Sequence, residues 1–195
     1  MQELTRYRHA ELFVPKEAYL SLGFFISPPA HDAAGFSVED LVQILNDAIQ
    51  EWKATEQNNR LRRLLCSEPV LSTVDKVIGI ACGELVFKSQ VRPEPAIQHA
   101  LLLSIRDHLS ENRECAQIQC YSQEPAYSTK EKQALKEVEI TVLEDPEAFL
   151  EVDDTSIIVS IGANVPVKQI ITEIARPAAI IWWKEVDKDT ESIRW

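Results

Sequence analysis

Gly79 and Gly83 bracket Cys82 at the end of the apolar run Val74-Asp-Lys-Val-Ile-Gly-Ile-Ala-Cys-Gly83. Glycine after a short buried strand lets the chain turn sharply and lets a cofactor approach the backbone, as in nucleotide-binding α/β units. The chemistry this points to is the cradling of a nucleotide or a methionine-derived cofactor, with a thiol beside it. Glu124 is a second candidate, because a carboxylate after the second strand of such a fold holds ribose hydroxyls. Ser160, Gly162 and Asn164 form a third group of neutral residues at the end of a later strand, suited to orienting a ligand and weak as acid or base. Together Gly79, Cys82, Gly83, Glu124, Ser160, Gly162 and Asn164 are the expected ligand-binding set, and none is assigned a catalytic role.

Each candidate has a plainer reading. The full glycine-rich fingerprint is missing, and Glu84 places a carboxylate where a phosphate would sit. The interval from Leu85 to Pro95, with Pro93 and Pro95, also separates the turn from the helix that should face a pyrophosphate. A bare strand exit is therefore the favoured role for the two glycines. Glu124-Pro125 equally makes a turn ahead of a helix capped by Ser128, and this reading is favoured over a ribose contact. His99 and His108 stand nine residues apart, two and a half helical turns, which puts them on opposed faces and rules against a shared site. His31 reads as a solvated loop residue. No Ser, His and Asp set with a nucleophile elbow and no metalloprotease helix is present. Cys115 and Cys120 have no second Cys or His pair at metal spacing, so no metal site is expected, and they join Cys66 and Cys82 as ordinary thiols.

The elements that must position these residues follow from periodicity. Ser37 is an N-cap with Asp40 three residues on, and Val38, Leu41, Val42, Leu45, Ala48, Ile49 and Trp52 recur at helical spacing. Leu61, Leu64 and Leu65 suggest a further helical piece before Pro69. From Val74 strands alternate with helices: strands near 75–81, 116–121, 139–143, 156–161 and 178–183, and helices near 95–110, 128–137 and 165–175. Ser128 and Glu131 make a capping-box signature. Nearly continuous apolar strands such as Ile157-Ile-Val-Ser-Ile161 are what a sheet covered on both faces requires. The expected fold is α/β: a doubly wound, mostly parallel, Rossmann-like sheet of five strands in the order 3-2-1-4-5, with an N-terminal arm and helix. The ligand crevice would lie where the order reverses, outside the carboxyl ends of the first and fourth strands.

At 195 residues one well-buried core is expected, organised as an arm over 1–36 packed on the domain, a domain over 37–184 and an acidic tail over 185–195. A short strand is expected in the arm near Leu22 to Ile26. Of Trp182 and Trp183, one is expected to be buried, and the tail to be loosely docked. With 20 Lys plus Arg against 31 Asp plus Glu the net charge is −11, which repels a nucleic acid. Arg60, Arg62 and Arg63 read as a solvated helix face. No apolar run suits a membrane span and no signal peptide is evident, so a cytosolic or nuclear location is expected, without disulfides.

The runs Lys76-Val-Ile-Gly-Ile-Ala-Cys-Gly83, Ala96-Ile-Gln-His-Ala-Leu-Leu-Leu-Ser-Ile-Arg-Asp-His-Leu109, Cys120-Tyr-Ser-Gln-Glu-Pro-Ala-Tyr-Ser128 and Leu135-Lys-Glu-Val-Glu-Ile-Thr-Val-Leu143 resemble the sensitivity-to-red-light-reduced family, especially its fungal branch, over about residues 74–183. In that family's pattern a glutamine opens the long helix, here Gln98, and an Asp-Pro dipeptide follows the second strand, for which Glu124-Pro125 looks like a conservative version. Where plant and animal members carry Met-Pro-His-Cys after the fourth strand, this chain has Ile161-Gly-Ala-Asn-Val-Pro166, lacking the His and the Cys. The resemblance implies the α/β fold and, since plant members are associated with circadian and light signalling and the family has no assigned reaction, a regulatory protein. The expected function is binding of a protein partner or small metabolite at the carboxyl edge of the sheet without catalysis. The alternative is a nucleotide- or S-adenosylmethionine-dependent transferase with Gly79, Gly83 and Glu124 as cofactor contacts. A third possibility is an interaction module using the arm and the tryptophans.

Overall fold

Ser37 opens the first helix, α1 (Val38–Lys53), through a capping box: its side chain accepts from the Asp40 N–H at 3.1 Å while Asp40 Oδ2 accepts from the Ser37 N–H at 2.8 Å. Two otherwise orphaned donors are satisfied, worth about 1 kcal/mol. Leu41, Leu45 and Ala48 form the buried stripe of this helix. Thr55 caps α2 (Glu56–Ser67), which is longer than the piece expected around Leu61 to Leu65, and a 3₁₀ turn over Pro69–Thr73 delivers the chain to the sheet. The computed structural model describes residues 10–13, 33, 35–111 and 117–183.

The strands are β1 (Ala10–Phe13), β2 (Lys76–Ile80), β3 (Val86–Phe87), β4 (Gln90–Val91), β5 (Gln119–Gln123), β6 (Thr141–Val142), β7 (Ser156–Ser160) and β8 (Ala179–Trp183). The main sheet runs β1-β8-β7-β2-β5-β6. Its β6, β5, β2, β7 and β8 strands are parallel, and β1 lies antiparallel on β8, with Ala10 opposite Trp183. The order thus differs from the five-strand expectation by a sixth, antiparallel edge strand, which covers backbone groups that β8 would otherwise leave open. That strand falls at Ala10–Phe13, and residues 22–26, where one was expected, lie outside the described residues.

Two further departures concern local structure. The interval after β2 is not plain loop: β3 and β4 form a two-stranded hairpin with Lys88 and Ser89 at positive φ (48° and 59°), the geometry of a two-residue hairpin turn. The helix α3 (Pro93–Ser110) then begins at Pro93, a first-turn position at which the missing N–H costs nothing. The second parallel strand ends at Gln123 instead of near residue 121, so Ser122 and Gln123 belong to β5 and do not follow it. Polar Ser122 and Gln123 obscure this end, because a strand signal read from apolar runs stops at Tyr121.

The remaining helices are α4 (Thr129–Glu137), α5 (Glu147–Leu150) and α6 (Val167–Ile174). Alternation along the strands divides the core into two layers. Val77, Cys120, Ile157, Val159, Ala179 and Ile181 pack with α1, α3 and α4 residues such as Leu45, Leu102 and Leu135. Ile78, Ile80, Ile158 and Ile180 pack with Ala148, Val167 and Ile171 of α5 and α6. Helices on both faces explain why β7 is buried at every position. Trp182 is half-buried with Lys168 Nζ 4.0 Å from its ring centroid. The Trp183 side chain, the tail over 184–195, His31 and Cys115 lie outside the described residues. Among the described residues, Cys66, Cys82 and Cys120 are free thiols, and no helix is long and apolar enough to cross a membrane.

Candidate functional site at the carboxyl edge of the sheet

β2 lies between β5 and β7, so the chain reverses its direction of travel across the sheet at the carboxyl ends of β2 and β7. Beyond Ile80 the backbone turns through Ala81 (φ 57°) and Gly83 (φ 83°). The turn is pinned to the next strand, since Ala81 N–H donates to the Gln123 carbonyl at 2.9 Å and Gly83 N–H donates to Glu124 Oε2 at 3.0 Å. The other carboxylate oxygen, Oε1, accepts from Ala126 N–H at 3.1 Å. Both oxygens of Glu124 are thus engaged, Oε2 in joining the exits of β2 and β5 and Oε1 in closing the turn after β5. Gly79 answers to packing: a Cβ there would sit 2.7 Å from both Cys82 Sγ and Leu102 Cδ1. Its lack of a side chain lets Cys82 and α3 close over β2.

Beneath this turn runs a buried polar line. His99 is fully buried, with Nδ1 2.6 Å from the Pro95 carbonyl and Nε2 2.5 Å from Tyr127 Oη. A carbonyl can only accept, so Nδ1 carries the proton and Nε2 accepts from the Tyr127 hydroxyl. Tyr127 Oη is then left to accept from Ser122 Oγ at 2.8 Å, and Ser122 in turn contacts Cys82. Burial pushes His99 down to about 4, against the opposing pull of its Pro95 bond, and it pushes Cys82 up to about 12 and Tyr127 well above the ordinary phenol range. Every member of the line is neutral at neutral pH.

Glu131 is a second buried anchor, 0% exposed. Oε1 accepts from Leu85 N–H at 2.6 Å and Val86 N–H at 3.3 Å, while Oε2 accepts from Ser128 N–H at 2.8 Å and Ser128 Oγ–H at 2.7 Å. One carboxylate therefore caps α4 and fixes the base of the β3–β4 hairpin. Gln123 plays a similar part on the other face: Oε1 accepts from Ala148 N–H at 2.7 Å, and Nε2 donates to Asp145 Oδ1 at 2.8 Å.

The β7 side of the edge is different. Ser160, the last residue of β7, is 6% exposed, and its Oγ has no hydrogen-bond partner. Gly162 is exposed at φ 77° with open space where a Cβ would project, and Asn164 is exposed. After Val165 and Pro166 the chain enters α6, whose N-cap has no side-chain hydrogen bond.

A family profile for the SRR1 domain matches residues 45–193. The chain belongs to the SRR1 domain family. No curated protein and no solved structure matches it. The SRR1 domain so defined spans α1 from Leu45, all five parallel strands and the whole of the carboxyl edge described above, which agrees with the resemblance drawn from the sequence. Of the seven residues expected at the site of this SRR1 domain, Gly83 and Glu124 are joined by a hydrogen bond, and Gly79 and Cys82 are packed under the turn. Ser160, Gly162 and Asn164 line the opposite, β7 side. Sequence reasoning weighed His99 only as a partner of His108, and it did not single out Tyr127 or the long-range half of Glu131's bonding. The capping box of Ser128 and Glu131 was a local signal, but nothing local shows that the same carboxylate reaches Leu85 and Val86.

Proposed function

We propose that this SRR1-domain protein is a regulatory binding module without catalysis, taking a small metabolite or partner segment at the carboxyl edge of its sheet against Ser160, Gly162 and Asn164. The carrying observation is Ser160 Oγ, buried at the end of β7 and without a partner. A buried hydroxyl left unpaired costs about 1–3 kcal/mol, a penalty that a bound ligand would remove by supplying the bond. The absence of catalysis is supported by the state of the reactive groups: Cys82, Tyr127 and His99 are buried, neutral and engaged with their neighbours. A transferase using Glu124 for a ribose would have to break two backbone hydrogen bonds to free its oxygens.

A thermal-shift screen of polar metabolites tests the reading, because a ligand that binds only the native state raises the melting temperature by mass action. A stabilising compound should lose its effect in Ser160→Ala and Asn164→Ala. Equal stabilisation of both variants would remove the β7 side as the site. Chemical turnover of the bound compound, followed by mass spectrometry, would overturn the non-catalytic part.

A further inference from the structure

Val167, the first residue of α6, packs with Ile158 and Ile180 on one face of the sheet. Side chains alternate along a strand, so Ser160 stands two positions beyond Ile158 on that same face, and Trp182 two beyond Ile180. Ser160 and Trp182 are register partners on the neighbouring parallel strands β7 and β8. They therefore sit side by side at the carboxyl edge, where α6 begins. Lys168, the second residue of α6, rests its Nζ 4.0 Å from the Trp182 ring centroid. Ser160 is 6% exposed, and its Oγ has no hydrogen-bond partner.

These groups share a need for acceptor oxygens. The first turn of a helix carries backbone N–H groups that no carbonyl of the helix reaches, and its dipole favours negative charge. Pro166, the N-cap of α6, offers no side-chain acceptor to them. A buried hydroxyl and an ammonium thus stand at an uncapped helix N-terminus. A phosphate monoester presents three acceptor oxygens, enough to engage Ser160, Lys168 and the first turn together, whereas a carboxylate presents two. A cation resting on an indole ring is held more weakly than one bonded to a phosphate, and the flexible lysine stem lets the ammonium exchange one for the other.

The carboxylates of the edge leave this corner clear. Glu84 lies on the segment that Glu131 of α4 holds through Leu85 and Val86, on the opposite face of the sheet. Asp145 accepts from Gln123 Nε2 at 2.8 Å. Gln123 is on β5, which β2 separates from β7. Two strand spacings are about 10 Å, more than the screening length of about 8 Å at physiological ionic strength.

We infer that Ser160, Lys168 and the first turn of α6 bind the phosphate group of a small phosphate monoester. The inference rests on the binding role proposed above for the β7 side and adds the chemical class of what is bound.

The test titrates the full chain, in a phosphate-free buffer, with glycerol 3-phosphate, ribose 5-phosphate and adenosine 5′-monophosphate, and with uncharged glycerol, ribose and adenosine. Affinity is read by calorimetry. At least one ester should bind, and its uncharged counterpart should bind about tenfold more weakly or not at all. The Kd of that ester should rise about tenfold or more in Ser160→Ala and in Lys168→Gln, while Lys168→Arg, which keeps the charge, should retain most of the affinity. The two losses lie in different elements, so one still reports if the other fails to fold. The indole N–H resonance of Trp182, assigned by its loss in Trp182→Phe, should shift during the titration as Lys168 leaves the ring. The inference is overturned if no ester binds, if the uncharged counterpart binds as well, if binding survives in both variants, or if the Trp182 resonance does not move. A phosphoserine peptide that binds more tightly than every small ester would overturn the small-molecule assignment. Should an uncharged compound bind in a Ser160- and Asn164-dependent way while every ester fails, the phosphate inference alone falls and the β7 side remains the site.

Discussion

Glu124 Oε2 accepts the backbone N–H of Gly83 at 3.0 Å, across 41 positions of sequence. This bond joins the exits of two neighbouring parallel strands, with the Ala81 to Gln123 backbone bond beside it. The turn that looks in sequence like a cofactor cradle is held shut from its β5 side. The β7 side carries no such clasp among the described residues, and the candidate ligand contacts collect there.

Replacing Glu124 by Ala should destabilise the protein by about 1–3 kcal/mol, because two backbone N–H groups lose their acceptor at once. Denaturant unfolding measures this, and the Glu124→Gln variant, which keeps one acceptor oxygen, should fall between. An unchanged midpoint for the Ala variant would show that the clasp carries no weight.

Glu131→Ala should cost more, about 3 kcal/mol or above, since four donors lose one fully buried acceptor. Ser128→Ala removes only the cap and should cost about 1 kcal/mol. If the two changes prove equal in chemical denaturation, the carboxylate's bonds to Leu85 and Val86 contribute nothing to stability.

The pH dependence follows from His99. Its folded value, held down to about 4 by burial, lies below the unfolded value of about 6.5. The unfolded state therefore takes up the proton first, so this group's contribution is fully present above about pH 6.5 and is lost as pH falls toward 4. The full effect is on the order of 3 kcal/mol. Melting temperature should drop across this window more steeply for the native protein than for His99→Gln. Parallel curves would show that His99 is not the proton acceptor on unfolding.

Two glycines should respond to alanine for different reasons. Gly79→Ala forces a Cβ against Cys82 Sγ and Leu102 Cδ1, and overpacking of this kind costs about 1–3 kcal/mol. Gly162→Ala meets open space and costs only the strain of φ 77°, about 1 kcal/mol. Thermal melts that rank them the other way would contradict the packing role of Gly79.

Much of the fold was legible because the sheet is covered on both faces. Runs such as Ile157-Ile-Val-Ser-Ile161 and Ala178-Ala-Ile-Ile-Trp182 have no other use in a chain of this charge, and Ser37 with Asp40 and Ser128 with Glu131 announce their helices. The β3–β4 hairpin was hidden because its turn is Lys88-Ser89, without the Gly or Asn that positive φ favours. The antiparallel strand β1 pairs with β8, more than 160 positions away, and periodicity in four residues cannot signal such a partner. The glycines of the site were legible as a turn. Whether they cradle a ligand depends on Glu124, Pro95 and Leu102, whose approach is set by tertiary packing. Gln98 stands in the sequence as the glutamine that opens the long helix in the resembling family, and that its oxygen is buried and unpaired shows only in the fold.

Amide chemical-shift mapping with the strongest stabilising metabolite from the screen tests the binding role most directly. The perturbed residues should cluster at Ser160 to Asn164 and around Ala81 to Gly83, with α1 and α2 unmoved. Perturbations gathered on α1 and α2, or no stabilising compound in a broad polar library, would contradict a ligand site at the carboxyl edge of the sheet.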